Sequence, residues 1–94
     1  MKTIWKFVIE IDDTIEVMMP QDAKILTVQI QHEMATIWAM VDTCKSDVKR
    51  ILRIVGTGHE ISPKIIGDYI GTFQIDSGNL VFHVFDIGEL CKQS

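Results

Sequence analysis

Proline, cysteine and glycine are all scarce here: two prolines, two cysteines and six glycines in 94 residues. So little Gly and Pro excludes a collagen-like or low-complexity chain. The two cysteines, Cys44 and Cys91, lie far apart and outside any CxxC or Cys/His spacing, which argues against a disulfide framework or a zinc site and for free thiols. Long hydrophobic runs are missing too. The opening "MKTIWKFVIEIDD" is too short and too charged for a signal peptide, and no stretch approaches the ~20 apolar residues that cross a bilayer. No membrane partner and a reducing cytosol are therefore expected.

Positive charge is in short supply. Nine Lys and Arg stand against thirteen Asp and Glu, for a net charge of −4. Duplex nucleic acid is bound through many cations on phosphates, so it is not an expected partner. Catalytic signatures are also absent: there is no GxSxG, no HExxH and no GxxxxGK[ST] phosphate loop. His32, His59 and His83 are scattered, and His83, between Phe82 and Val84, reads as a solvent-face or satisfied core histidine. No metal, no cofactor and no enzymatic turnover are expected.

What the chain does have is a period of two, broken by turn residues every ~8–12 residues, the pattern of an all-β sandwich or barrel. In the first segment Trp5, Phe7, Ile9 and Ile11 share one parity, and Asp12-Asp13 suggests a hairpin turn to "TIEVMMP". "KILTVQIQ" sets Leu26, Val28 and Ile30 against Thr27, Gln29 and Gln31. A turn around His32-Glu33-Met34 leads to "ATIWAMVD", apolar on both parities and hence central in the fold or covered by a partner subunit. "VKRILRIVG" follows, then "SPKII", where Ser62 as N-cap and Pro63 at the first helical position suit a single helical turn. "DYIGTFQI" sets Tyr69, Gly71, Phe73 and Ile75 against Ile70, Thr72 and Gln74, and a four-residue turn at 76–79 leads to "NLVFHVF". The expected fold is mainly β: one domain over residues 1–94, a small antiparallel barrel or sandwich of about seven strands with one short helical turn. An α+β domain with a longer SPKII helix is the alternative. Only about 60–65% of the unfolded surface can be buried at this length, so self-association into a homo-oligomer is expected.

One stretch draws chemistry together. In "RIVGTGHEIS", Gly56 and Gly58 let a ligand approach the backbone, Thr57 and His59 add side-chain donors, and successive N–H groups can form an anion-binding nest. Lys45, Lys49, Arg50 and Arg53 gather just upstream, and arginine suits bidentate phosphate binding. Against this, Gly-Thr-Gly alone is a weak signal, and the same residues fit a plain turn after an edge strand kept soluble by its charges. Both possibilities stay open. The aromatic residues fall in strands and mostly on core parities, but Trp38, beside Met40, is a candidate for base stacking or a subunit interface.

The stretches "MKTIWKFVIEI", "MPQDAKILTVQIQ", "WAMVD", "IVGTGHEI", "YIGTF" and "LVFHVF", in this order over nearly the whole chain, resemble a family of small proteins of unknown function encoded by phages and prophages. The chain departs from that pattern at residues 44–47, more proline-rich in relatives. The resemblance implies a phage setting, and so the host bacterial cytosol, but no reaction. With it, the expected function is counter-defence: an oligomer that sequesters a small phosphorylated, cyclic nucleotide immune signal without cleaving it. Residues 56–58 would supply backbone donors, Thr57 and His59 would bond phosphate or ribose, Arg50 and Arg53 would supply charge, and Trp38 or Tyr69 would stack on a base. The alternative is a protein-binding inhibitor, or a phage assembly or regulatory factor, acting through an apolar β-sheet face.

Overall fold

The structure is a computed structural model that describes residues 1–63 and 67–90. Seven strands form it: β1 (Lys2–Val8), β2 (Thr14–Pro20), β3 (Lys24–Gln31), β4 (Met34–Asp42), β5 (Asp47–Gly56), β6 (Asp68–Ile75) and β7 (Leu80–Leu90). They make two antiparallel sheets, a three-stranded one in the order β1-β4-β3 and a four-stranded one in the order β2-β5-β7-β6. The sheets do not close into a barrel, so of the two expected architectures the molecule is the sandwich. A 3-10 turn, Asp76–Gly78, joins β6 to β7. Of the helical turn expected on "SPKII", residues 62–66, the last three lie outside the described residues, as does Cys91.

Alternation decides the core. Ile37, Ala39 and Val41 of β4 meet Met19 of β2, Leu52 and Ile54 of β5, and Val84 of β7 between the layers, all buried. At the edge of the sandwich, β3 lies over β6 because Gly71 lacks a side chain there. A Cβ on Gly71 would meet Val28 Cγ1 at 3.0 Å.

Two expectations from the sequence change. The expected β1–β2 hairpin does not form: β1 pairs with β4 and β2 with β5. Residues 9–13 instead arch from one sheet to the other, with Ile9 N–H donating to Ala35 O at 2.9 Å and Ile54 N–H to Asp13 O at 3.0 Å. Ile9, read in the sequence as part of the first strand, is instead buried where the chain leaves β1 for the other sheet. The β3–β4 hairpin forms as expected, with His32 and Glu33 at φ 51° and 66°, the positive values a two-residue type I′ turn requires.

The second change is parity. β-bulges interrupt the registers between Ile25 and Thr27, Tyr69 and Gly71, and Asp86 and Gly88. Each extra residue returns the following positions to the face that alternation would deny them. Leu26 is therefore exposed while Ile25 joins Val28 in the core. Tyr69 leaves the parity of Phe73 and comes to the face of Thr72.

Candidate functional site

The glycine stretch is a tight turn at the end of β5. His59 N–H donates to Gly56 O at 3.1 Å, and Gly58 has φ +85°, as the third residue of a type II turn must. Thr57 N–H donates across to Val81 O at 3.1 Å. The N–H groups of Thr57 and His59 are thus engaged within the chain and do not form an open nest. His59 folds back over Gly56, where a Cβ would stand 3.0 Å from its Nδ1. It borders an open hollow of about 300 Å³ whose wall also holds Asp12, Asp13 and Phe82. Two carboxylates beside that imidazole make the hollow a poor seat for an anion.

Arg50 and Arg53 part company. Val17 faces Arg50 and Thr14 faces Arg53 across the β2–β5 ladder, so the two arginines, three residues apart, lie on opposite faces of the sheet. Arg50 points inward and is only 11% exposed. Its Nε and Nη2 donate to the two oxygens of Asp86 at 2.9 and 2.8 Å, and its Nη1 reaches Glu89 Oε1 at 3.4 Å. The bulge before Gly88 is what brings Asp86 and Glu89, three residues apart, to one side. Glu89 also accepts the N–H of Asp22, which ties the clamp to the β2–β3 turn. Hydrogen bonding to Asp86 raises the affinity of the guanidinium for its proton above an already high value. This is a buried, bidentate, fully paired arrangement, and Arg50 has its anions within the chain.

The outer face of the four-stranded sheet carries a different set. Arg53 projects there and donates through Nη1 to Thr14 Oγ1 at 3.1 Å, using one of its five N–H donors. Next to it, β7 presents Phe85 and His83, β6 presents Tyr69 and Thr72, and Thr57 closes the end. A continuous hydrogen-bond chain links Tyr69, Thr72, His83 and Thr57. Tyr69 OH and Thr72 Oγ1 are 2.5 Å apart, Thr72 Oγ1 and His83 Nδ1 2.8 Å, and His83 Nε2 and Thr57 Oγ1 2.7 Å. Thr57 Oγ1 also lies 3.4 Å from Val81 O. With the proton of His83 on Nε2, every member donates forward: Tyr69 to Thr72, Thr72 to His83, His83 to Thr57, and Thr57 to the Val81 carbonyl. The ring of Tyr69 is 60% exposed and is steadied by an edge contact with Phe85, centroids 5.8 Å apart.

Of the eight residues singled out in the sequence, Arg53, Thr57 and Tyr69 come together on this face. Gly56 and Gly58 shape the adjoining turn, while His59 lies at the acidic hollow and Arg50 in the interior. Trp38 stands on the outer side of the other sheet, opposite Lys6 and Thr27. His83 and Thr72 complete the chain and were not among the eight. A signal for them existed: a hairpin closed by the 76–79 turn sets Thr72 opposite His83. Thr14 was missed because its pairing with Arg53 depends on β2 joining β5, which no local pattern announces. No group of three or more His, Cys, Asp or Glu suited to a metal occurs among the described residues.

Residues 1–90 match the family model described as "Domain of unknown function (DUF7352)", and the chain belongs to that family. No curated protein and no solved structure matches it.

Proposed function

For a member of a family whose description assigns no activity, we propose a binding role: a small phosphorylated nucleotide is held intact on the outer face of the four-stranded sheet. The observation that carries this is the hydroxyl–imidazole chain from Tyr69 to Thr57 beside Arg53. Arg53 offers a charged fork to phosphate, the threonines and Tyr69 offer hydroxyls to phosphate or ribose, and the exposed Tyr69 ring offers a surface on which a base can stack. The same chain argues for retention over cleavage. Both ring nitrogens of His83 are engaged by hydroxyls, so the imidazole has no lone pair turned to a ligand and no carboxylate to orient it as a base.

In the phage setting that the sequence resemblance implies, such retention removes a cyclic nucleotide immune signal from the bacterial cytosol and so blunts defence. The test is to incubate the protein with candidate cyclic nucleotides, remove unbound material, and release what is held by heat. Recovery of the intact nucleotide from the native protein, with about tenfold to hundredfold weaker retention by an Arg53→Ala, His83→Ala double variant, is expected from the loss of charge-assisted bonds. Equal retention by both proteins, none by either, or recovery of a hydrolysed product would each overturn the proposal.

A further inference from the structure

Four side chains on the outer face of the four-stranded sheet share three hydrogen bonds, Tyr69–Thr72, Thr72–His83 and His83–Thr57. Tyr69, Thr72 and Thr57 bring one hydroxyl proton each, and a neutral imidazole brings one N–H. The three links use three of these four protons. The fourth has two places to go. With the links running from Tyr69 toward Thr57, it stays on Thr57, whose Oγ1 is 3.4 Å from Val81 O. With every link reversed, it stays on the exposed Tyr69 hydroxyl, and Val81 O still receives the N–H of Thr57 at 3.1 Å. A neutral chain therefore has one proton to offer, at one end or the other and never at both.

A phosphate oxygen only accepts hydrogen bonds, and what the neutral chain turns outward is mostly hydroxyl lone pairs. An imidazolium changes the count. Both ring nitrogens of His83 then donate, Nδ1 to Thr72 and Nε2 to Thr57, so both threonines accept and keep their own protons. Thr57 has one to give at its end, and Thr72, directly or through Tyr69, has one at the other. The same hydroxyls turn from a mainly accepting set into a donating one, with a positive charge behind it.

The charges around the ring leave that change to a ligand. On β5, Val55 stands opposite His83, and Arg53 is the next outward residue but one, opposite Phe85. On β6, Thr72 stands opposite His83 with Tyr69 beyond it, while Asp68 shares the inward parity of its partner Asp86. Past Thr57, His59 folds over Gly56 toward Asp12 and Asp13. Glu16, further out on β2, is paired with Lys49, and Glu60 and Asp76 lie in the segments beyond the strand ends. The charge that shares this face with the hydroxyl chain is thus Arg53, of the same sign as an imidazolium. A bound anion beside both offsets their repulsion.

We infer that His83 decides whether this face accepts an anion: phosphate is held with the ring as imidazolium, and one proton is taken up from solvent as the ligand arrives. The inference rests on the nucleotide reading for the identity of the ligand. Its sign follows from linkage. A ligand that prefers the imidazolium binds more tightly as pH falls through the range where histidine gains its proton, about pH 8 to 5. The phosphodiester of a cyclic nucleotide keeps its single charge throughout that range, so the change belongs to the protein. An uncharged nucleoside, which brings donors of its own, is served by the neutral chain and shows no such gain.

Inorganic sulfate, an acceptor that does not titrate in this range, is the first probe. The ring signals of His83, identified by their loss in His83→Gln, are followed by NMR across the titration of the whole chain in sulfate and in chloride at equal ionic strength. The midpoint should lie at least about half a pH unit higher in sulfate, which corresponds to about threefold tighter binding by the imidazolium. Heat-release retention of a cyclic nucleotide should likewise rise at least about threefold between pH 8 and pH 6 in the parent and stay flat in His83→Gln, whose amide gains no proton. An unmoved midpoint, or retention that rises equally in His83→Gln, would overturn the proton coupling. If the nucleotide is nevertheless retained at every pH, the nucleotide reading survives that failure. If sulfate raises the midpoint but no nucleotide is retained, the coupled anion site stands and the nucleotide reading falls.

Discussion

The two faces of the four-stranded sheet treat arginine differently, and β5 shows why. Arg50 and Arg53 come from the same cationic cluster in the sequence, yet an odd spacing sends one inward and the other outward. Inward, a charge survives only if its partners go with it, and Arg50 is met by Asp86, 10% exposed, and Glu89, 15% exposed. Outward, water does most of that work, and Arg53 makes one bond to a threonine hydroxyl. The lesson is that a cluster of cations along a strand is two populations. One holds the fold, and the other remains for a ligand.

Removing each arginine tests that division with the largest contrast available. Arg50→Ala leaves two carboxylates under the β2–β3 turn without their counter-ion, and breaking one side of a buried pair costs about 3–5 kcal/mol. Arg53→Ala removes one exposed hydrogen bond and should cost no more than about 1 kcal/mol. Urea unfolding of both variants measures the difference. Equal losses would mean that the two faces are not distinct in the way the geometry requires.

A smaller effect probes the backbone under the clamp. A Cβ on Gly67 would stand 2.5 Å from Asp86 O and 2.8 Å from its carbonyl carbon. Those are main-chain atoms, held where the Arg50–Asp86 pair needs them, so they cannot yield as a side chain would. Gly67→Ala should therefore destabilise by about 1–3 kcal/mol, in the range of overpacked cores. If the clamp is what fixes this backbone, combining Gly67→Ala with Arg50→Ala should cost less than the two losses added together, as neighbours in one network do.

The same geometry marks where the sequence could be followed and where it could not. The segment "ATIWAMVD", apolar on both parities, marked the central strand β4, and alternation along "KILTVQIQ" and "TFQI" marked a mainly β sandwich or barrel, because buried and exposed positions in an antiparallel sheet must alternate. It failed at the bulges. The extra residue at Ile70 moves Tyr69 onto the face of Thr72, and the one at Ile87 sets Asp86 and Glu89 side by side. The Arg50 clamp and the Tyr69–Thr57 chain thus each rest on residues three apart sharing a face, which period two forbids. Nor did the glycines reveal their use. Gly56 and Gly58 are where a ligand loop would have them, but whether their neighbours' N–H groups stay open depends on Val81, a strand away. The arch at residues 9–13 was hidden in the same way, since two aspartates signal a turn without saying which sheet it leads to.

On the outer face, His83→Ala removes the hub of the hydroxyl chain. Its ring is partly solvated, so the hydroxyls it leaves can turn to water, and the expected loss of stability is only about 1 kcal/mol. Nucleotide retention should fall far more than thermal stability does. A variant that loses both in proportion would place His83 among the residues that hold the fold, and the contrast between the faces would weaken.

The smallest change is the most discriminating. Tyr69→Phe keeps the ring and its edge contact with Phe85 and deletes only the terminal hydroxyl, the first donor of the chain. Thr72 loses an exposed partner and can accept from water instead, so unfolding in urea should shift by a few tenths of a kcal/mol at most. Stacking of a base on the ring would persist, because it depends on the π face and not on the hydroxyl. If the hydroxyl chain is what holds phosphate or ribose, retention of a nucleotide should drop severalfold with stability unchanged. If Tyr69 acts only as a stacking platform, Tyr69→Phe should bind as the parent does and Tyr69→Ala should not. Measuring both variants against the same nucleotide therefore separates the polar contribution of this face from its aromatic one.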